Sequence, residues 1–222
     1  MGVLLRTVDL KKTYNTGANE VHALNNVSIE IHEGQITAIR GRSGSGKTTL
    51  LNVVGTLDEP DKGEVYFQGK NILKFSEMAK NNLRRKDFAF IFQSIALMPN
   101  MTAFENVEFA LRLANVKERS NRVDECLKYV GMYERRKHMP SELSGGEQQR
   151  IAIARAIAHK PKIIFADEPT AQVDTKMALQ IIDVFRKLVE KENVTIVMTT
   201  HDLSILDKVD HIYAVGDVIG FP

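Results

Sequence analysis

The stretch Gly41–Thr49, GRSGSGKTT, fits the phosphate-binding pattern G-x-x-x-x-G-K-[ST] at each of its fixed positions, Gly41, Gly46, Lys47 and Thr48. Its flanks agree with that reading. Gln35–Ile39 is a β-prone run ahead of the glycines, and Thr49–Val54 reads as the helix that follows. Strand, glycine loop and helix in that order form a cradle: glycines without Cβ let backbone N–H groups wrap a polyphosphate, and the helix N-terminus adds partial positive charge. Gly41, Ser43, Gly44, Ser45, Gly46, Lys47, Thr48 and Thr49 are therefore expected around a nucleotide's phosphates. Lys47 suits the β- and γ-phosphates, and the Thr48 hydroxyl suits Mg²⁺. The alternative is an ordinary Gly-rich turn with a surface lysine; the flanking strand and helix count against it.

Composition narrows the class. The chain has 222 residues, 43% of them apolar, enough for one sizeable core. Thirty basic residues face 28 acidic ones for a formal net charge of +2, without the bias of a dedicated nucleic-acid binder. The single cysteine, Cys126, excludes an internal disulfide and points to a reducing cytoplasm. No apolar run approaches the roughly 18 residues that span a bilayer, and no signal segment opens the chain. If the protein serves a membrane, another chain crosses it.

Working outward, Val3–Val8, Val27–Ile31 and Gly63–Phe67 read as strands, with the polar stretch KKTYNTGANE (Lys11–Glu20) between the first two. Phe88–Phe92 is a compact apolar strand ending at Gln93. Helical periodicity then takes over, with runs at Ala103–Leu113, Asn121–Val130 and Gly145–Ala158. The composition shift suggests an insertion over residues 93–159 in a single domain 1–222, whose α/β core comprises 1–92 and 160–222. The basic clusters Arg84–Lys86 and Arg135–Lys137 read as solvated faces. After Pro161 strand and helix alternate: Ile163–Phe165, Lys176–Glu190, Val194–Thr199, and a last strand at His211–Val215. That alternation implies a parallel sheet.

A phosphate loop needs a carboxylate at the sheet's C-terminal edge for the nucleotide's Mg²⁺, and IIFADE, Ile163–Glu168, supplies one. Asp167 is expected to hold the ion through water. The adjacent Glu168 is placed to orient and deprotonate a water attacking the γ-phosphate. LSGGE, Leu143–Glu147, leads into a long helical run; Ser144 and Glu147 have capping-box spacing. A capping box alone does not call for two glycines, each costing up to about 1 kcal/mol against alanine within a helix. Gly145 and Gly146 bare the backbone to a close ligand.

With these three segments in order, the chain resembles the ATP-binding cassette family of nucleotide-binding domains over essentially its whole length. The resemblance implies an α/β fold: a P-loop NTPase, RecA-like core, an N-terminal antiparallel β subdomain and an inserted α-helical subdomain carrying LSGGE. It implies two copies sandwiching two ATP with Mg²⁺, so that Ser144, Gly145 and Gly146 of one copy meet the γ-phosphate held by Lys47 of the other. It also matches Gln93 to the residue that senses Mg²⁺ and the attacking water, and His201 to a γ-phosphate contact. Asp174 matches the loop coupling the two sites, and Tyr14 the aromatic that stacks on adenine. NEVHAL (Asn19–Leu24), IFQSIALMPNMTAFENV (Ile91–Val107) and ADEPT (Ala166–Thr170) are similar to the branch containing macrolide exporters, lipoprotein exporters, peptide-antibiotic resistance transporters and the cell-division ATPase FtsE.

Departures from that branch are Arg42 for Pro, Thr48 for Ser, Glu147 for Gln, and Ala171–Asp174 (AQVD) for Gly-Asn-Leu-Asp. Gly216–Ile219 is expected as an imperfect version of the family's closing hairpin, with no C-terminal regulatory domain after it. The resemblance implies an ATPase, peripheral at the inner face of the cell membrane, that powers a separate transmembrane permease for export or extraction. The alternatives are an FtsE-like regulator that works mechanically without transport, and a soluble repair or translation ATPase. The short helical insertion, the single cassette and the near-neutral charge argue against the last.

Overall fold

The structure, a computed structural model, describes residues 2–17, 19–171 and 173–215. In chain order its strands and helices are β1 (Val3–Thr16), β2 (Asn19–Val27), β3 (Glu30–His32), β4 (Ile36–Arg40), α1 (Lys47–Val54), β5 (Lys62–Phe67), β6 (Lys70–Asn71) and α2 (Glu77–Lys86). There follow β7 (Phe88–Ile91), α3 (Ala103–Leu113), α4 (Ser120–Tyr129), α5 (Gly145–Ile157), β8 (Ile163–Ala166), α6 (Thr175–Glu192), β9 (Thr195–Thr200) and β10 (His211–Ala214). Among the described residues these strands form two five-stranded sheets. In the first, β1 pairs antiparallel with β2, β3 and β5, and β6 extends β5. The second is parallel throughout, in the order β10-β4-β9-β8-β7.

Strands β4, β7, β8 and β9 are largely buried on both faces, unlike the exposed edge strand β10, and their period-2 alternation sends neighbouring residues into two separate cores. Ile39, Phe88, Phe165 and Val197 pack with the antiparallel sheet and α1, beside Leu5, Leu10, Leu50 and Phe67. Ile36, Ala38, Ile164, Ala166, Ile196 and Met198 point the other way, into a core completed by Val107, Leu127, Ile153 and Phe185 on α3, α4, α5 and α6. Phe88 stands edge-on to both Phe67 and Phe165, with ring centroids 4.9 and 5.3 Å apart, and so joins the two sheets. On the helical side, Arg122 of α4 donates to both Glu192 oxygens at the end of α6 and to the carbonyls of Ile157 and Ala158, which close α5.

Several segments differ from the sequence reading. Lys11–Glu20 is not a polar connection: β1 and β2 run through it as a hairpin, with Tyr14 opposite Val21. Conversely, the strand expected at Val27–Ile31 straddles a break, because the Thr7 hydroxyl donates to Val27 O (3.1 Å) and accepts the Ile29 N–H (2.9 Å) in place of ladder bonds. Helix α2 has no apolar stripe, its buried residue being Lys80, so periodicity could not announce it. It begins on Ser76, whose hydroxyl accepts the Ala79 N–H. Its Arg84 is bonded to the carbonyl and hydroxyl of Thr56 instead of standing in solvent. In the second basic cluster Arg135 lies 3.6 Å from Glu147, and the Arg136 guanidinium covers the Tyr133 ring. The closing hairpin expected at Gly216–Ile219 lies outside the described residues.

His159 joins the end of α5 to the start of β7, its Nε2–H donating to Phe88 O at 3.0 Å. Its Nδ1 is buried without a partner among the described residues, and burial, helped by nearby Arg122, holds the imidazole below its ordinary pKa. A histidine depressed in the folded state takes its proton more readily in the unfolded chain. Its contribution to stability is therefore complete above the unfolded pKa of about 6.5 and is lost as pH falls through the window below it. The urea midpoint should drop more steeply between pH 7.5 and 5.5 in the native chain than in His159→Gln, which keeps a donor for Phe88 O. Equal slopes would remove His159 from that role.

Candidate functional site

The parallel sheet fixes which side chains meet. Strand β9 lies between β4, which feeds the glycine loop, and β8, which ends at the two acids. Arg40 is level with Thr200, and Ala166 with both Met198 and Ile91. One step further along the C-terminal edge, Gly41 comes level with His201, while Asp167 comes level with Thr199 on one side and Phe92 on the other. Ligands of open α/β sheets bind at this edge.

The loop itself is built by backbone geometry. Gly44 has φ +78° and open space where a Cβ would project, leaving the backbone bare. Gly46, at φ +90°, caps α1, and a Cβ there would run into the Ala23 carbonyl of β2. Lys47 opens the helix with its side chain only 6% exposed. Its ammonium donates to Gly41 O (2.9 Å) and Arg42 O (3.0 Å) and lies 3.8 Å from Glu168 Oε1. The Ser45 hydroxyl is buried without a partner among the described residues.

Beside the lysine runs a chain of hydrogen bonds. The Thr48 hydroxyl donates to Asp167 Oδ2 at 2.8 Å, and the Thr199 hydroxyl donates to Asp167 Oδ1 at 2.6 Å. The same Thr199 oxygen accepts the Glu168 N–H at 2.8 Å, and the Asp167 N–H reaches Ile91 O on β7. Glu168 adopts φ +45°, a left-handed conformation rare outside glycine that the flanking bonds hold in place. Its Oε2 lies 3.2 Å from His201 Nδ1 and 3.5 Å from Gln93 Nε2.

These groups border a cleft of about 310 Å³, walled by Tyr14, Val21 and Ala23 of the β1–β2 hairpin, floored by Ser43–Thr49, and closed by Gln93 and Glu168. That volume sits at the small end of ligand sites. A buried ammonium and a row of loop N–H groups suit a polyphosphate. The Thr48 hydroxyl, the Asp167 carboxylate and the Gln93 amide oxygen make an all-oxygen donor set, which fits Mg²⁺.

The structure thus brings together Tyr14, the glycine loop, Gln93, Asp167, Glu168 and His201. Ser144, Gly145, Gly146 and Asp174 stand elsewhere, and none of them lines the cleft. Ser144 and Glu147 form the full capping box, with Ser144 N and Oγ each 2.9 Å from Glu147 Oε2; these bonds hold the Glu147 carboxyl below the usual carboxylate range. A Cβ on Gly145 would meet nothing within 4 Å, so the exposed start of α5 is open to whatever approaches it. Asp174 caps α6 by accepting the Met177 N–H, and Met177 leans on Gly146. Two residues escaped the sequence reading. Thr199 bridges both acids, yet in sequence it is one of several β-branched residues ending a strand. Gln149, 4% exposed, donates to Pro169 O and ties α5 to the segment after Glu168; its only signal is a polar residue at a buried helical phase.

Comparison with known proteins agrees with this geometry. The family model described as ABC transporter matches residues 24–171. An uncharacterised ABC transporter ATP-binding protein of Thermotoga maritima is 44% identical over 210 residues, spanning 94% of this chain and 89% of the relative. The lipoprotein-releasing system ATP-binding protein LolD of Bdellovibrio bacteriovorus is 40% identical over 215 residues, spanning 96% and 98%. The solved ATP-binding cassette MJ0796, a dimer in a post-hydrolysis state with ADP and Pi, superposes with a TM-score of 0.89 at 38% identity, covering 96% of this chain and 94% of its own. Cleft, phosphate loop and relatives converge on one conclusion: the chain belongs to the ABC transporter family, as an ATP-binding subunit.

Proposed function

We propose that this subunit hydrolyses ATP at the interface of two of its own copies and so drives a separate transmembrane permease that exports or extracts a substrate. The observation that carries the reading is the hydrogen-bonded set Thr48–Asp167–Thr199–Glu168 beside Lys47, which holds two carboxylates at fixed positions next to a phosphate cradle. The Lys47 ammonium and the N–H groups of Gly44–Thr49 bind the phosphates, and Tyr14 stacks on the adenine. Glu168 takes a proton from water as the water oxygen bonds to the γ-phosphorus. The bond to the β–γ bridging oxygen breaks, the electron pair leaves with ADP, and the new oxygen stays on the phosphate. His201 and Gln93, both within reach of Glu168 Oε2, hold that carboxylate and the water in line. Thr48, Gln93 and, through water, Asp167 would hold Mg²⁺, which when bound draws charge from the β- and γ-phosphate oxygens.

The second copy enters because the exposed Ser144–Gly146 segment is absent from the cleft of its own chain while carrying the features of an anion site. The N-terminus of α5, with its bare glycines, would close over the γ-phosphate on the partner's Lys47. The dimeric state of the solved relative MJ0796 supports this arrangement. Asp174, next to Gly146 through Met177, is suited to couple the two sites. Residues 93–159, which carry α3, α4 and α5 between β7 and β8, act as the inserted lobe, on a core of 1–92 and 160–222. No described helix is long and apolar enough to cross a membrane. A peripheral position on the cytoplasmic face, held there by a permease, belongs to the same proposal.

Glu168→Gln should bind ATP and dimerise while turnover falls by about a hundredfold or more, the scale of a general base. Steady-state phosphate release would check this, and undiminished turnover would take Glu168 out of the chemistry. Ser144→Arg should leave ATP binding to the isolated chain largely intact but abolish hydrolysis, read by titration calorimetry and phosphate release. Full turnover in that variant would contradict a shared site. Co-purified permease reconstituted in vesicles should move substrate when ATP is supplied. A partner that moves nothing while ATP is consumed would turn the reading towards a mechanical regulator.

A further inference from the structure

Tyr14 is 36% exposed at the mouth of the cleft, and an aromatic ring on a strand end has several staggered orientations open to it. One is selected by Asp58, in the turn after α1. Asp58 Oδ2 accepts the Tyr14 hydroxyl at 2.5 Å, while Oδ1 accepts the Lys12 ammonium at 2.9 Å and the Glu59 N–H at 2.7 Å. The Lys12 ammonium in turn lies over the Tyr14 ring, 5.1 Å from its centroid, so one face of the ring is taken and the other remains for a ligand.

This arrangement is anchored to the phosphate loop. The N–H groups of Leu57 and Asp58 both return to Asn52 O on α1, the helix that Lys47 begins. The same turn is laced to β1: Lys12 reaches Glu59 O, the Thr13 N–H reaches Asp61 Oδ2, and the Asp61 N–H reaches Lys11 O. Burial works against the Asp58 carboxylate, but the bonds from Tyr14, Lys12 and Glu59 outweigh it and hold the group below its ordinary pKa. It is therefore a charged acceptor at neutral pH, the stronger kind of hydrogen-bond partner.

We infer that Asp58 is the positioning residue of the base subsite: by gripping the Tyr14 hydroxyl and the Lys12 ammonium together, it sets the ring at a fixed height above the phosphate loop to receive the adenine. The inference rests on the reading of Tyr14 as the adenine platform. Asp58 itself bonds no phosphate-binding group and reaches the loop only through the Tyr14 hydroxyl, which also has the Thr49 side chain as a partner, so its effect is expected on the base more than on the triphosphate.

Titration calorimetry of the full chain with ATP and, separately, with inorganic tripolyphosphate, both with Mg²⁺, separates the two. Asp58→Ala should raise the ATP dissociation constant by roughly tenfold or more, the scale of one hydrogen bond to a charged group, and leave that for tripolyphosphate unchanged. In turnover it should raise KM for ATP and keep kcat. Asp58→Asn, whose one amide oxygen cannot accept both the Tyr14 hydroxyl and the Lys12 ammonium, should lose ATP affinity by an intermediate amount and again leave tripolyphosphate unchanged. Tyr14→Phe, which keeps the ring and loses only the hydroxyl, should reproduce the ATP-selective loss without adding to that of Asp58→Ala. If Tyr14→Ala lowers ATP affinity selectively while Asp58→Ala and Tyr14→Phe do not, the platform stands and the role given to Asp58 is wrong. If Tyr14→Ala leaves the ratio of the two affinities unchanged, the platform and the inference fall together. An equal loss of both ligands in Tyr14→Phe would make the contact a structural tie of the loop and overturn the inference.

Discussion

The hydroxyl of Thr199 is the point on which the site depends. It donates to Asp167 and accepts from the backbone of Glu168, so one oxygen holds the Asp167 carboxylate and the main chain of Glu168. It can do so only because β9 runs between β4 and β8 with Ala166 level with Met198, which puts Thr199 beside Asp167. A one-residue slip of β9 that put Met198 in the place of Thr199 would point an apolar side chain at the acids and turn the Thr199 hydroxyl to the other face. Such a slip is opposed from both sides, since Val197 and Met198 belong to different apolar clusters. The packing of the sheet thus enforces the register that the chemistry uses.

Charge at the cleft follows the same economy. A lysine as buried as Lys47 needs compensation, and two loop carbonyls and Glu168 at 3.8 Å supply it. On the proposed reading a triphosphate in the loop takes over that role. In the proposed reaction Glu168 then keeps His201 and Gln93 as its neighbours. The left-handed backbone at Glu168 belongs to this picture, because its cost, of the order of 1–3 kcal/mol, is met by the Thr199 bond and the neighbouring β-strand ladder.

The periodic helices α3, α4, α5 and α6 and the buried strands β4, β7, β8 and β9 were legible in the chain, because apolar spacing at 3.6 and continuous apolar runs survive without tertiary context. The N-terminal hairpin was not, since Lys11–Glu20 pairs through its backbone while presenting mostly polar side chains. Helix α2 was hidden for a related reason: its one buried residue is a lysine, held by Glu59 at 2.6 Å and Glu77 at 3.1 Å. Asp58 had no signal of its own, for an acid in a turn after a helix is ordinary until the fold sets Tyr14 against it.

By itself the sequence determined the chemical inventory: a glycine loop with Lys47 and Thr48, two acids after an apolar strand, a capped helix with two bare glycines, and the order in which they occur. Those are local properties, written in spacing, Cβ-free positions and strand-to-helix transitions. Only the tertiary structure decided which of them meet. Strand order brought Thr199 and His201 between the loop and the acids, the hairpin placed Tyr14 at the cleft, and the signature at Ser144–Gly146 was left outside its lining. The reason is physical: hydrogen bonds between strands and the burial of their two faces join residues more than a hundred positions apart, and no local pattern carries that register.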